Sequence, residues 1–366
     1  MSPLASAPEP ARGQTPEARP RDERSPKGGV NFVTLIVLLL VMLVIAVLFS
    51  LATGAVRVPS GAILSALFGN HPLTATQQII LLQIRLPRVL ASGVVGAALA
   101  VSGLMFQGLF RNPLADPYVI GSSGGAVLGA CIGIFFFSQL SFFGFSATAL
   151  LAFAGSVITM VIVYSLARAN GRTNIITLLL AGFAVSTMLG YSSYFFEVFD
   201  SSSGSNHLIL LSWLHGVIGI PRWTQLFVTG ALLLFATMIA MPMMRRLNTL
   251  ALGDEYAHQL GLRVEYTRVG IILTGSLLTA VAVSLGGLIS FAGLIVPHVA
   301  RLLLGPDHVR LLPVTALSGA IFLVVADTLA RTVFAPTEIP VGILMAFLGG
   351  PFFLYLLRKT KRSYVL

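Results

Sequence analysis

Charge is what this chain has least of. Only 10% of its 366 residues are Asp, Glu, Lys or Arg, and 56% are hydrophobic, whereas a soluble domain carries about 25% charged residues. So few charges cannot cover a soluble surface of this length, and bilayer lipid is the remaining solvent for an apolar exterior. Cysteine is almost missing as well. Cys131 stands alone in an apolar run, which excludes an internal disulfide.

Enzyme signatures are absent too. No GxxxxGK[ST] loop is present to cradle ATP, and no HExxH to hold zinc. The six histidines (His71, His207, His215, His258, His298 and His308) never pair at i, i+4, so no metal site is expected. The GSSGG run at 121–125 opens an apolar helix with no general base nearby in sequence. It reads as helix packing, as does the small-xxx-small spacing of Ser92 and Gly96.

What is present is a series of long apolar runs, with a mean hydropathy of +0.90. A spanning helix needs about 20 mostly apolar residues. Ten runs qualify, at 30–51, 87–109, 118–138, 147–167, 174–196, 222–244, 267–285, 288–303, 311–330 and 340–357. A brief apolar stretch at 207–218 is expected to be re-entrant or interfacial, and 55–84 to be a loop with a short helix. The Pro-, Ala-, Arg- and Glu-rich stretch 1–29 reads as a disordered tail. It is too long and polar for a signal peptide. Residues 359–366 form a second, C-terminal tail.

The net charge is +10, but no basic face with interleaved aromatics suggests nucleic acid. The charge sorts by side instead. With the N-terminus cytoplasmic and ten spans, eighteen of the 23 Lys and Arg fall inside, and only Arg57, Arg85, Arg88, Arg222 and Arg331 fall outside. That bias supports an even number of spans with both termini cytoplasmic. Charges within spans are few. Asp327 and Arg331 stand four apart and can pair on one helix face. No series of buried carboxylates crosses the bilayer, which argues against an ion-coupled secondary transporter. Pro297 favours a kink in the eighth span, beside His298.

One inner loop, NTLALGDEYAHQLGLRVEY (Asn248–Tyr266), holds a short helical stretch between Gly253 and Gly261. The glycines suit a break at each end. A short helix standing off the membrane there is a natural handle for a partner.

Four segments carry a resemblance: QIRLPRVLASGVVGAALAVSGLMFQGLFRNPLADPYVIGSSGGAVLGA (Gln83–Ala130), LALGDEYAHQLGL (Leu250–Leu262), GLISFAGLIVPHVARLLLGPDHVRLLP (Gly287–Pro313) and ADTLARTVFAPTEIPVGILMAFLGGPFFLYLL (Ala326–Leu357). Together they resemble the FecCD family of ABC-importer permeases, which serves ferric siderophores, haem and vitamin B12. The resemblance implies an all-α, type II importer permease with one ten-helix domain over 30–358. It also implies a second permease copy (the same chain or a paralogue), two ATP-binding subunits and an extracytoplasmic substrate-binding protein. The chain itself would bind no cofactor, since ATP and Mg belong to the ATPase subunits. The most frequent cargo in the family, a ferric siderophore, is expected, with haem and cobalamin as alternatives.

Residue roles follow from the same resemblance. The handle looks like the coupling helix that enters a cleft of the ATPase, with Leu252, Gly253, Asp254, Glu255, Ala257, Gln259, Leu260 and Gly261 at the contact. Arg85, Arg88 and Arg331 match positions that receive acidic groups of the binding protein, where guanidinium forks grip carboxylates. Met188, Phe195, Phe196, Glu338, Pro340 and Met345 match the lining of the translocation path. Thr173, Asn174 and Ile175 match the cytoplasmic gate. The local GRTNII sequence departs from the hydroxyl-rich gate associated with the vitamin B12 permease.

Overall fold

A computed structural model of the protein describes residues 31–54, 61, 74–142, 144–169, 172–199 and 205–363. The tail expected over 1–29, Arg57 and much of the 55–84 stretch lie outside these residues.

The first helix, α1 (Phe32–Ala52), opens on Asn31, whose side chain accepts the Val33 N–H. The next opens on a capping box, in which the Thr74 hydroxyl accepts the Gln77 N–H and Gln77 accepts the Thr74 N–H in return. From there α2 (Ala75–Ile79) runs through a wide π-type segment, Ile80–Arg85, into α3 (Leu86–Leu109). The helix thus begins well before residue 87, where the apolar run starts. Gln77, Gln78, Gln83 and Arg85 interrupt the apolar pattern, and Pro87 imitates a helix start. The π segment lies just before that proline, whose missing N–H would otherwise leave a gap in the ladder.

A tight turn at Pro117–Ile120 leads into α4 (Ser122–Phe137), and a small antiparallel hairpin of strands Ser141–Phe142 and Phe145–Ser146 leads into α5 (Ala147–Ala167). The expected fifth span is interrupted at Tyr191, between α6 (Ile175–Gly190) and α7 (Ser192–Phe199). Then come α8 (Ser205–Leu214), α9 (Trp223–Ala251), the short α10 (Asp254–Gln259) and α11 (Val264–Gly286). The chain ends with α12 (Ala292–Leu304), α13 (His308–Thr332) and α14 (Val341–Ser363). The last of these is helical well into the expected C-terminal tail. The start of α12 is later than residue 288 because Gly287 and Phe291 both take positive φ, at 65° and 67°, which no helix accommodates.

Among the described residues, seven helices are long and apolar enough to cross a membrane: Phe32–Ala52, Ala75–Leu109, Ala147–Ala167, Ile175–Val198, Trp223–Ala251, Val264–Gly286 and His308–Thr332. Three shorter apolar helices, Ser122–Phe137, Ala292–Leu304 and Val341–Tyr355, occupy the other expected places.

The helix α3 is the axis of the bundle. Nearly every residue from Val89 to Leu109 is buried, and α11, α12 and α13 pack around it. The approach is backbone to backbone. A Cβ on Gly103 would stand 1.8 Å from the Gly293 carbonyl oxygen, and one on Gly96 would stand 2.1 Å from that of Gly319. No driving force separates Leu from lipid tails, so close van der Waals packing of this kind holds membrane helices together.

Candidate functional site

Two polar clusters lie at opposite ends of the bundle. The 29 residues of α9 separate the ends, about 42 Å at the helical rise.

The first cluster surrounds α10. Its bounding glycines have φ of 117° (Gly253) and 81° (Gly261), a region that side-chain-bearing residues rarely adopt. Space is not the reason, since nothing lies within 4 Å of a Cβ placed on Gly261. Ala257 is fully buried and roots the helix in the main core, while Leu252, Tyr256 and Leu260 stand exposed. Asp254 anchors the handle from two sides. It accepts Arg111 Nη2 at 2.7 Å from the end of α3, and it pairs closely with Arg268 on α11. Glu255 and Gln259 line an adjoining cavity of about 930 Å³, together with Glu265 and Arg268.

Arg268 and Glu265 also reach the expected gate. The Thr173 N–H donates to Glu265 Oε2 at 3.1 Å, the Thr173 hydroxyl pairs closely with Oε1, and Arg268 Nη1 donates to the Thr173 carbonyl at 3.4 Å. Thr173 is buried, Ile175 is half-buried at the first turn of α6, and Asn174 caps that helix by accepting the Ile176 N–H at 2.9 Å. The handle and the base of α6 are therefore joined through two side chains. Sequence reasoning missed Arg111, Glu265 and Arg268. The i, i+3 spacing of Glu265 and Arg268 just past the handle was the one available signal.

The second cluster joins the start of α3 to the end of α13. Arg88 donates from Nη2 to Asp327 at 3.2 Å and from Nη1 to Glu338 at 2.8 Å. Asp327 is shared with Arg331, whose Nε lies 3.0 Å from Oδ2, and Arg331 Nη2 donates to the Ser50 hydroxyl at 2.8 Å. Arg85 donates to the Leu51 carbonyl at 2.6 Å. The three expected docking arginines are thus brought together, but against internal acceptors. Arg85 and Arg331 are 5% and 8% exposed, whereas the Glu338 side chain is 53% exposed. The expected Asp327–Arg331 pair forms as the four-residue spacing suggests.

The residues expected along the path divide. Met188 and Phe195 are exposed, and Phe196 stacks on Phe135 with ring centroids 5.5 Å apart. Pro340 is half-buried before α14, and Met345 is wholly buried in the main core. Ile176, Leu180, Phe183, Tyr191, Tyr194 and Val198 continue an exposed apolar stripe along α6 and α7 at helical spacing. His298 meets Phe352 edge-on, with centroids 6.2 Å apart.

The profile of the FecCD transport family matches residues 42–359. The chain belongs to the FecCD transport family. Relatives agree along most of its length. The cobalamin import system permease BtuC of Halobacterium salinarum is 44% identical over 78% of this chain and 75% of its own. The hemin transport system permease HmuU of Yersinia pestis is 41% identical over 89% and 95%. The Fe(3+) dicitrate permease FecD of Escherichia coli is 35% identical over 90% and 99%. A solved inward-facing metal-chelate type ABC transporter matches with a TM-score of 0.74 and 30% identity, over 90% of this chain and all of that one. This FecCD chain is accordingly a multi-pass permease of an ABC importer, a transport component like its relatives. Such permeases work with an ATPase and a substrate-binding protein.

Proposed function

We propose that this chain is the permease half of an ATP-driven importer that carries a metal chelate across the cytoplasmic membrane of a prokaryote. A ferric siderophore is the first cargo considered. Relatives named for cobalamin and for hemin stand at 44% and 41% identity and favour a tetrapyrrole chelate as the second reading. The chain crosses the bilayer ten times, with both termini cytoplasmic. The three short apolar helices and the sorting of Lys and Arg support this reading. A second permease copy, the same chain or a paralogue, covers the apolar stripe of α6 and α7, and the cargo passes between the two copies.

The observation that carries the mechanism is the short bridge from Asp254 through Arg268 and Glu265 to Thr173. An ATPase seated on Leu252, Tyr256 and Leu260 moves α10 when it closes on ATP and Mg, both of which it holds itself. The bridge passes that movement to the foot of α6, where Thr173, Asn174 and Ile175 form the inner gate. At the opposite face, a carboxylate of the binding protein competes with Glu338 for Arg88. Arg85 and Arg331 hold the surrounding backbone in place through Leu51 and Ser50. Uptake into proteoliposomes holding this chain with its ATPase and binding protein tests the proposal. Labelled ferric siderophores, haem and cobalamin are offered with and without ATP. ATP-dependent accumulation of one chelate is expected, whereas accumulation that follows an ion gradient and ignores ATP overturns it.

A further inference from the structure

The end of the bundle that carries the arginine cluster also holds a separate cavity of about 440 Å³. Its walls are the hairpin before α5, the stretch 217–222, the first turn of α9 and the end of α11. None of the residues expected in docking, gating or the path lines it. Its size falls within the range of small-molecule sites, about 300–1,000 Å³.

Three features of the lining agree on one chemistry. Arg222 is the only charged residue in the wall, and no carboxylate lines it among the described residues. Arg222 also stands at the N-cap of α9, which has no side-chain cap. The first turn of a 29-residue helix, without a side-chain cap among the described residues, therefore opens at this wall, and its dipole favours negative charge. Independently of both, Gln225 lines the cavity at 9% exposure with no hydrogen-bond partner for its side-chain amide among the described residues. Its amide keeps access to the cavity space, where the oxygen of a ligand can accept its N–H. Ser141 and Thr148 add hydroxyl donors.

We propose that this cavity binds a phosphate-type oxyanion, held between the Arg222 guanidinium, the uncapped first turn of α9 and the Gln225 amide. Either an anionic lipid headgroup or a free phosphate presents that chemistry. Trp223, partly exposed beside Arg222, suits the headgroup level of a bilayer.

The chain carries its own reporters, because its two tryptophans are Trp213 in the cavity wall and Trp223 next to Arg222. The test titrates the full chain in uncharged detergent with inorganic phosphate, dihexanoyl phosphatidylglycerol and dihexanoyl phosphatidylcholine, following tryptophan emission. Saturation by phosphatidylglycerol alone assigns a headgroup site, and equal saturation by phosphate assigns a free-anion site. In either case Arg222→Gln weakens binding about tenfold, as expected for loss of a charge-assisted contact. Gln225→Leu weakens it to a smaller extent, and Arg222→Lys retains it, which separates loss of charge from loss of fold. Saturation by phosphatidylcholine as tight as by phosphatidylglycerol, no saturation by any probe, or curves unchanged in Arg222→Gln and Gln225→Leu would each overturn the site.

Discussion

Arg88 and Glu338 are 250 positions apart in the chain and meet at 2.8 Å. One partner is nearly covered and the other half-exposed, so Glu338 closes over a guanidinium that a docking carboxylate would need. Removing this internal competitor frees Nη1 of Arg88, while Nη2 keeps its bond to Asp327. Glu338→Gln is expected to tighten binding-protein docking several-fold, measured by surface plasmon resonance on the reconstituted complex. Arg88→Gln is expected to weaken it at least tenfold, in line with about 1.5–3 kcal/mol for a hydrogen bond to a charged group. Weaker docking in Glu338→Gln would remove the competition from the mechanism.

The bridge at the other end permits a separation of coupling from stability. Arg268 pairs with the half-exposed Asp254 but is itself only 14% exposed, so its loss costs more than the ~0–1 kcal/mol of an exposed ion pair. Arg268→Gln should therefore lower the melting temperature of the purified chain modestly and leave the ATPase bound. ATP-driven uptake in proteoliposomes should nevertheless fall about tenfold or more, because a misplaced link far from the chemistry can cost that much. Uptake at the original rate would show that Arg268 transmits nothing.

The contact of Gly103 with Gly293 predicts a packing defect with no polar component. Gly103→Ala places a carbon 1.8 Å from a carbonyl oxygen, so the helices must part. Overpacking of this kind costs about 1–3 kcal/mol. It should appear as a lowered midpoint in thermal unfolding in detergent. Gly261→Ala, with open space around it but a φ of 81°, should cost about 1 kcal/mol through backbone strain alone. Equal unfolding midpoints for Gly103→Ala and the unaltered chain would contradict the close approach.

Asp116 lies in the connection between α3 and α4. It accepts the Tyr118 N–H at 2.9 Å and lies against the Phe291 N–H. Burial pushes its carboxyl up to about 6 in spite of these two donors. A carboxyl raised in the folded state binds its proton more tightly there than in the unfolded chain. Stability should thus be greatest below about pH 4 for this group and fall as pH rises through 6. Asp116→Asn retains an acceptor for Tyr118 and removes the charge. It should flatten that slope and stabilise the chain at pH 7 by an amount on the order of 1–3 kcal/mol. An unchanged pH–melting profile in the variant would show that Asp116 does not titrate in this way.

Much of this arrangement is legible in the chain itself. Apolar run length locates the helices, because lipid forbids exposed backbone. The handle is visible because only glycine takes the φ of Gly253 and Gly261 cheaply. The four-residue interval from Asp327 to Arg331 announces their pairing. Other features leave no local mark. The start at Ala75 is hidden by glutamines and a capping box, and the late start of α12 depends on a phenylalanine in a conformation that composition does not suggest. The bond from Thr173 to Glu265 spans 92 positions, and the internal partners that cover Arg85, Arg88 and Arg331 come from three other helices or loops. Pairings of that range are set by helix packing, which no run or spacing records.

The brevity of α4 and α12 bears on the kind of membrane the protein can inhabit. Their 16 and 13 residues give about 24 and 20 Å, less than the roughly 30 Å hydrocarbon thickness. Yet α4 is largely buried, and so is the first half of α12, within a rim of longer helices such as the apolar, mostly exposed α1. Lipid chain length is thus felt at the rim, where tilting can absorb a mismatch. The short helices inside are insulated from it, so their packing can stay the same in bilayers of different thickness.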